Sequence, residues 1–231
     1  MCYTYKGMKR LFGILLFIFI VSFTAEAQTP GGEGTQPLTA LQNYRRGREL
    51  EDQNRAAESN THYNEAVRIC LEEVSRNAAT RETYTVITWV LRRQRKYADV
   101  ISWGERGLRV YPDEYRIVQT MGEAFFYLDN YAHSLSYMQR YVNAQPQADR
   151  TSVSYFFIGE IYRLTEKYLH ADIAYTTAVR LDPNYALWWY RLASVREEAG
   201  DRRPAIEAYQ QALRLNPNYR EARDGLTRLQ G

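Results

Sequence analysis

Chemistry-bearing residues are scarce in this 231-residue chain, which has two cysteines, three histidines and only four lysines. Cys2 precedes an apolar run near the start, so loss of a leader there would leave Cys70 alone and exclude an intramolecular disulfide. Cys70 falls on the apolar face of a helical pattern and reads as a small core hydrophobe rather than a reactive thiol. His62, His133 and His170 stand singly, with no His-Glu-x-x-His or related ligand spacing. A phosphate-binding glycine loop and a Gly-x-Ser-x-Gly nucleophile elbow are both missing. The acidic pairs Glu72-Glu73 and Glu197-Glu198 are adjacent, so on a helix they diverge by about 100° and do not face one substrate. These absences point away from an enzyme, a metal centre and a bound cofactor.

Excess charge is lacking too. The formal net charge is +3, and removing Lys6, Lys9, Arg10 and Glu26 with a leader brings it to +1, which gives no electrostatic case for nucleic acid. Many arginines have acidic neighbours, as in Arg196-Glu197-Glu198, the pattern of solvated helix faces. The densest cluster, Arg92-Arg93-Gln94-Arg95-Lys96, closes a helix, where cations complement the negative end of the dipole; an anion site is the rival reading. A long membrane span is also missing. The apolar run at 11–23 has 13 residues, short of the roughly 18 a span needs. Preceded by Lys6, Lys9 and Arg10 and followed by Ala25-Glu26-Ala27, it reads as a secretory signal peptide over 1–27, with Met8 an alternative start. The expectation is export to a periplasm or beyond, with no stable membrane span after cleavage. Residues 28–37 form a Gly/Pro linker with nothing to bury.

What the chain does have is a period. Pro112, Pro146, Pro183 and Pro217 are separated by 34, 37 and 34 residues. Behind the last two the text repeats, with Tyr155 and Trp189, Gly159 and Ala193, Ala171 and Ala205, Tyr175 and Tyr209, and Ala178 and Ala212 all 34 apart. Such a period means one supersecondary unit copied and stacked. Within the last copy, Trp189, Leu192, Ala193 and Arg196 follow the helical period and predict a helix over 187–199. Gly200-Asp201 breaks it. A second helix, over 203–215, carries Ala205, Tyr209 and Ala212 on one face, and Asn216-Pro217 ends it.

The spacing of an aromatic, a small pair and Tyr, then Ala, aromatic, Ala and Pro, resembles the tetratricopeptide repeat (TPR). It is strongest in 152–185, with Tyr155, Gly159, Tyr162, Tyr168, Ala171, Tyr175, Ala178 and Pro183, and in 186–219. Units 115–148 and 81–114 follow more loosely. In the first of these, Ser134 and Tyr141 replace the small alanines, and in the second, Gly104 and Gly107 stand in the second helix. A degenerate pair over 38–80 keeps Tyr44, Gly47, Tyr63, Ala66 and Cys70, with a longer first helix or turn expected around 54–61 and no closing proline, and 220–231 reads as a capping helix. The resemblance implies an all-α, right-handed superhelical solenoid of antiparallel helix pairs whose first helices line a concave groove.

Carried over by position, the resemblance implies a partner-binding surface of Trp89, Arg92, Arg93, Gln119, Glu123, Phe126, Tyr127, Phe156, Glu160, Arg163 and Tyr190. In it an aromatic strip, Trp89–Phe126–Tyr127–Phe156–Tyr190, is flanked by charges of both signs, and aromatics with arginines are what binding hot spots favour. The family's chaperone-tail grip needs Lys and Asn where this chain has Thr85, Trp89, Gln119, Glu123, Phe156, Glu160, Tyr190 and Ser194, so that function is not expected. The expectation is a non-catalytic interaction scaffold or adaptor of the cell envelope, with a protein or peptide partner. The alternative is a periplasmic accessory protein of a solute-transport system, holding a small molecule.

Overall fold

The computed structural model describes residues 37–231; the expected leader and all of the linker but Pro37 lie outside them. The described residues form eleven α-helices and no strand. In chain order these are α1 (Ala40–Asp52), α2 (Ala56–Ser75), α3 (Arg81–Arg93), α4 (Tyr97–Val110), α5 (Tyr115–Tyr127) and α6 (Tyr131–Ala144). They continue with α7 (Thr151–Leu164), α8 (Tyr168–Leu181), α9 (Ala186–Glu198), α10 (Arg202–Leu215) and α11 (Arg220–Gln230). Each helix packs on the next, and residues 38–231 form one unit. The extra length in the first pair lies not in a longer first helix or turn, as expected around 54–61, but in the second helix: α1 has 13 residues like α3, α5 and α9, whereas α2 has 20 where the other second helices have 14.

Five turns share one geometry. Asn54, Arg95, Asp129, Glu166 and Gly200 each sit at the centre of the turn inside a helix pair with φ between 55° and 81°. The next residue's N–H reaches five residues back, as in Lys96 to the Leu91 carbonyl (2.9 Å) and Asp201 to the Arg196 carbonyl (2.8 Å). A left-handed residue with this bond is how a helix terminates and satisfies its last carbonyls. Only Gly200 adopts the conformation without a side-chain penalty, which is why only that turn was visible as a break.

The helices of a pair approach where small residues meet large ones. A Cβ on Gly159 would lie 2.6 Å from the ring of Tyr175, and one on Gly122 3.0 Å from the Met138 methyl. Ser134 keeps the small size of the alanine it replaces and donates to the Gly122 carbonyl at 2.8 Å. Buried aliphatic and aromatic side chains then run from Tyr44, Tyr63 and Cys70 at one end to Leu192, Tyr209 and Ala222 at the other. Cys70 is fully buried, and burial pushes its thiol up to about 12, so it packs and does not react.

The two glycines make a paired test. Tyr175 is a rigid ring held at its hydroxyl by Glu160, whereas Met138 is flexible. Gly159→Ala is expected to destabilise by about 1–3 kcal/mol through overpacking. Gly122→Ala is expected to stay within about 1 kcal/mol of the parent, because the gain in helix propensity offsets a small shift of the thioether. Urea titrations followed by circular dichroism check both, and the reverse order would reject the close-packing account.

The 37-residue interval has a local cause. Turns between helix pairs span four residues at 111–114, 182–185 and 216–219 but six at 145–150, and α7 is one residue longer than α5 or α9. The longer turn delivers Asp149 and Arg150 to the face where the first helices meet.

Candidate functional site, the inner face of the array

First helices also touch first helices: α1 packs on α3, α3 on α5, α5 on α7 and α11 on α9. Their outward-turned side chains therefore form one inner face, and carboxylate–guanidinium pairs cross it from unit to unit. Glu51 of α1 lies 3.5 Å from Arg93 of α3. Arg92 of α3 donates to Glu123 of α5 at 3.0 Å, and Arg150 reaches the same carboxylate at 2.5 Å. Glu160 of α7 is 2.9 Å from Arg163 and 3.0 Å from Arg191 of α9, and Glu197 of α9 is 3.1 Å from Arg228 of α11. Pairs whose members are 31 positions apart (92–123, 160–191, 197–228) repeat along the array.

Glu123 is the most enclosed of these acids, with its carboxylate behind the wall and only 2 % of the residue exposed. Burial alone would raise its pKa, but Arg92, Arg150 and the Gln119 amide hold it below the ordinary carboxylate value. Glu160 receives the Tyr175 hydroxyl in addition to its two guanidiniums, and Glu197 receives Tyr209 at 2.5 Å. Burial first, then the adjacent carboxylate, pushes both phenols far up, so they remain donors.

The expected site residues fall into groups. Trp89, Arg92, Arg93 and Gln119 line one cleft of about 360 Å³ together with Tyr44, Arg48, Arg116, Thr120, Tyr141, Asp149 and Arg150. Trp89 packs on Tyr44 (5.2 Å between rings) and under Arg116 (5.7 Å), not on Phe126. Phe126, Tyr127 and Phe156 belong to a second group completed by Phe157 and Trp188. In it only Tyr127 is half exposed (49 %), and it stacks on Tyr97 at 4.7 Å. Tyr190 is apart from both, between Tyr209 and Tyr219. Arg92, Arg93 and Arg163 pair with carboxylates across or along the inner face, so these cations do more than complete a helix end.

Reasoning from sequence missed Arg48, Arg150, Tyr141, Phe157 and Trp188, whereas Arg116 falls at an inward-facing position of its repeat. Arg150 and Tyr141 were detectable as departures: the first stands in the 37-residue interval, and the second occupies a position the repeat reserves for alanine. Among the described residues, none of the helices is long and apolar enough to cross a membrane, and no group of three or more His, Cys, Asp or Glu is placed to hold a metal.

The tetratricopeptide-repeat family matches residues 153–185 and 186–219. None of the curated proteins matches the chain significantly. Solved structures do. MamA from Desulfovibrio magneticus RS-1 is 17 % identical over 78 % of this chain and 97 % of its own, with a TM-score of 0.61. The Cut9–Hcn1 hetero-tetramer of the APC/C gives 0.69 at 15 % identity over 83 % of this chain, which spans 36 % of that one. YrrB, a TPR protein with an unusual peptide-binding site, gives 0.56 at 16 % identity over 81 % and 92 %. At these identities the likeness is one of fold. Residues 153–219 thus hold two consecutive tetratricopeptide repeats, and the same stacking of helix on helix runs from α1 to α11.

Proposed function

We propose that the chain is a non-catalytic protein–protein interaction scaffold of the cell envelope that holds a polypeptide partner on its inner face. The TPR fold is typically non-catalytic and supports an interaction role. The observation that carries the placement on the inner face is the continuous surface of first helices, with an aromatic group beside an arginine-lined cleft. Such a surface suits an extended segment or an inserted helix, and YrrB, of similar fold, has a peptide-binding site. The basic start, apolar run and Ala25-Glu26-Ala27 support export to the periplasm.

Truncating Phe126, Phe156 and Tyr190 is a poor test, because each is partly buried against other rings and its loss would disturb the fold. A photo-crosslinking amino acid at Tyr127, half exposed on the inner face, is compared with one at Ile173, 66 % exposed on second helix α8. In envelope extract, a discrete polypeptide adduct is expected from position 127 and not from 173. Adducts from 173 alone would refute the inner-face assignment.

A second reading, a ligand-binding accessory protein, draws on the cleft volume, which falls within the range of small-molecule sites. Native mass spectrometry of the purified chain separates the two. A co-purifying small molecule favours the second, and a stoichiometric polypeptide the first.

A further inference from the structure

The cleft between α1, α3 and α5 is unbalanced in its hydrogen-bonding groups. Five guanidiniums line it (Arg48, Arg92, Arg93, Arg116 and Arg150), and Asp149 is the one acid on its wall. A guanidinium carries five donors and no acceptor. Glu123 takes one nitrogen each from Arg92 and Arg150, and Glu114 takes two from Arg116. Glu51 lies 3.5 Å from Arg93, whose Nε is buried without a hydrogen-bond partner. Arg48 is exposed and has no carboxylate partner among the described residues. Glu82 also lies near enough to act on Arg116, so five acids stand around the five guanidiniums, yet Asp149 alone is on the cleft wall and most of the guanidinium donors remain open.

We infer that this cleft takes carboxylate side chains from within an acidic polypeptide segment, with Trp89 and Tyr44 covering the apolar atoms between them. The inference rests on the scaffold reading and names the class of partner. Carboxylates match the guanidinium fork, and each pair is a charge-assisted hydrogen bond. The Trp89 indole beneath Arg116 holds that fork in place, and the ring pair Trp89–Tyr44 offers a flat apolar floor. The cleft lies on the surface shared by successive first helices, so a segment leaving it is already on the inner face.

The test exposes the full chain to an array of peptides about twelve residues long, blocked at both ends. Acidic sequences with several Asp or Glu between Leu and Ala stand beside copies carrying Asn or Gln. Acidic peptides are expected to be retained at least about ten-fold better than their amide copies, with retention falling as salt screens the pairs. Arg48→Glu should abolish about ten-fold of that preference, and because Arg48 is exposed and unpaired the variant keeps its fold, as its circular dichroism would show. Equal retention of the amide copies, or an unchanged Arg48→Glu profile, overturns the inference. Full displacement by millimolar succinate also overturns it, by assigning the cleft to a free dicarboxylate. Should the adduct at position 127 persist while acidic peptides are not retained, the acidic partner falls and the scaffold stands; loss of both removes both.

Discussion

Glu123→Gln is expected to destabilise the array by about 3 kcal/mol, near the low end of the cost of breaking a buried ion pair. The residue is 2 % exposed and its carboxylate accepts from Arg92, Arg150 and the Gln119 amide, groups from two successive helix pairs and from the turn that leads into the third. Glutamine preserves the shape but leaves two guanidiniums facing a neutral amide whose NH2 repels them. For a domain of this size such a loss lowers the melting temperature by roughly 6–12 °C. Because stability in a stacked array is a sum of units and interfaces, the melt should also broaden as the halves on either side of α5 uncouple. The pH dependence has a definite sign. The folded pKa is depressed, so the stabilisation is complete above the ordinary carboxylate value of about 4.3 and is lost as pH falls through the lower folded value. The gap between parent and variant is therefore wide at pH 7 and narrows below about pH 4. Melts by circular dichroism at both pH values decide it, with Glu198→Gln, exposed and unpaired, as a control expected within about 0.5 kcal/mol. Equal melting of parent and Glu123→Gln at pH 7 would sink the account.

The helix pairs were legible because the period is written in residues that packing cannot exchange cheaply. Pro183 and Pro217 end second helices, and Gly159, Ala171 and Ala178 mark where helices approach. The helices expected over 187–199 and 203–215 run at Ala186–Glu198 and Arg202–Leu215. The inner face was harder to read. Position within a repeat says which side of a helix a residue occupies, not which neighbour it meets one unit away. Hence Trp89 and Phe126 share a strip in the sequence but pack on Tyr44 and Phe157 in the fold. Hence too Glu123 and Glu160, legible as inward-facing acids, proved to be clasped by arginines from other units. Arg150 lies outside the repeat consensus altogether, and only the lengthened turn places it.

Tyr175→Ala tests how far one ring holds the two helices of a pair together. Tyr175 is fully buried, its ring lies over Gly159 and beside Phe156 (5.7 Å), and its hydroxyl donates to Glu160. The same core continues into the next pair through Trp188, Leu192 and Ala193. Truncation to alanine removes the ring from opposite a helix that glycine has already brought as close as it can come, so little collapse is available. The cost is expected at about 3–5 kcal/mol, the range for deleting a buried aromatic. Tyr175→Phe separates packing from hydrogen bonding. It keeps the ring and removes one donor from a carboxylate that retains Arg163 at 2.9 Å and Arg191 at 3.0 Å, so about 1 kcal/mol is expected. Chemical denaturation of both variants gives the ratio. A Phe variant as damaging as the Ala variant would shift the weight from the ring to the hydroxyl–carboxylate bond. An Ala variant as stable as the parent would mean that α7 and α8 are not held together by this contact.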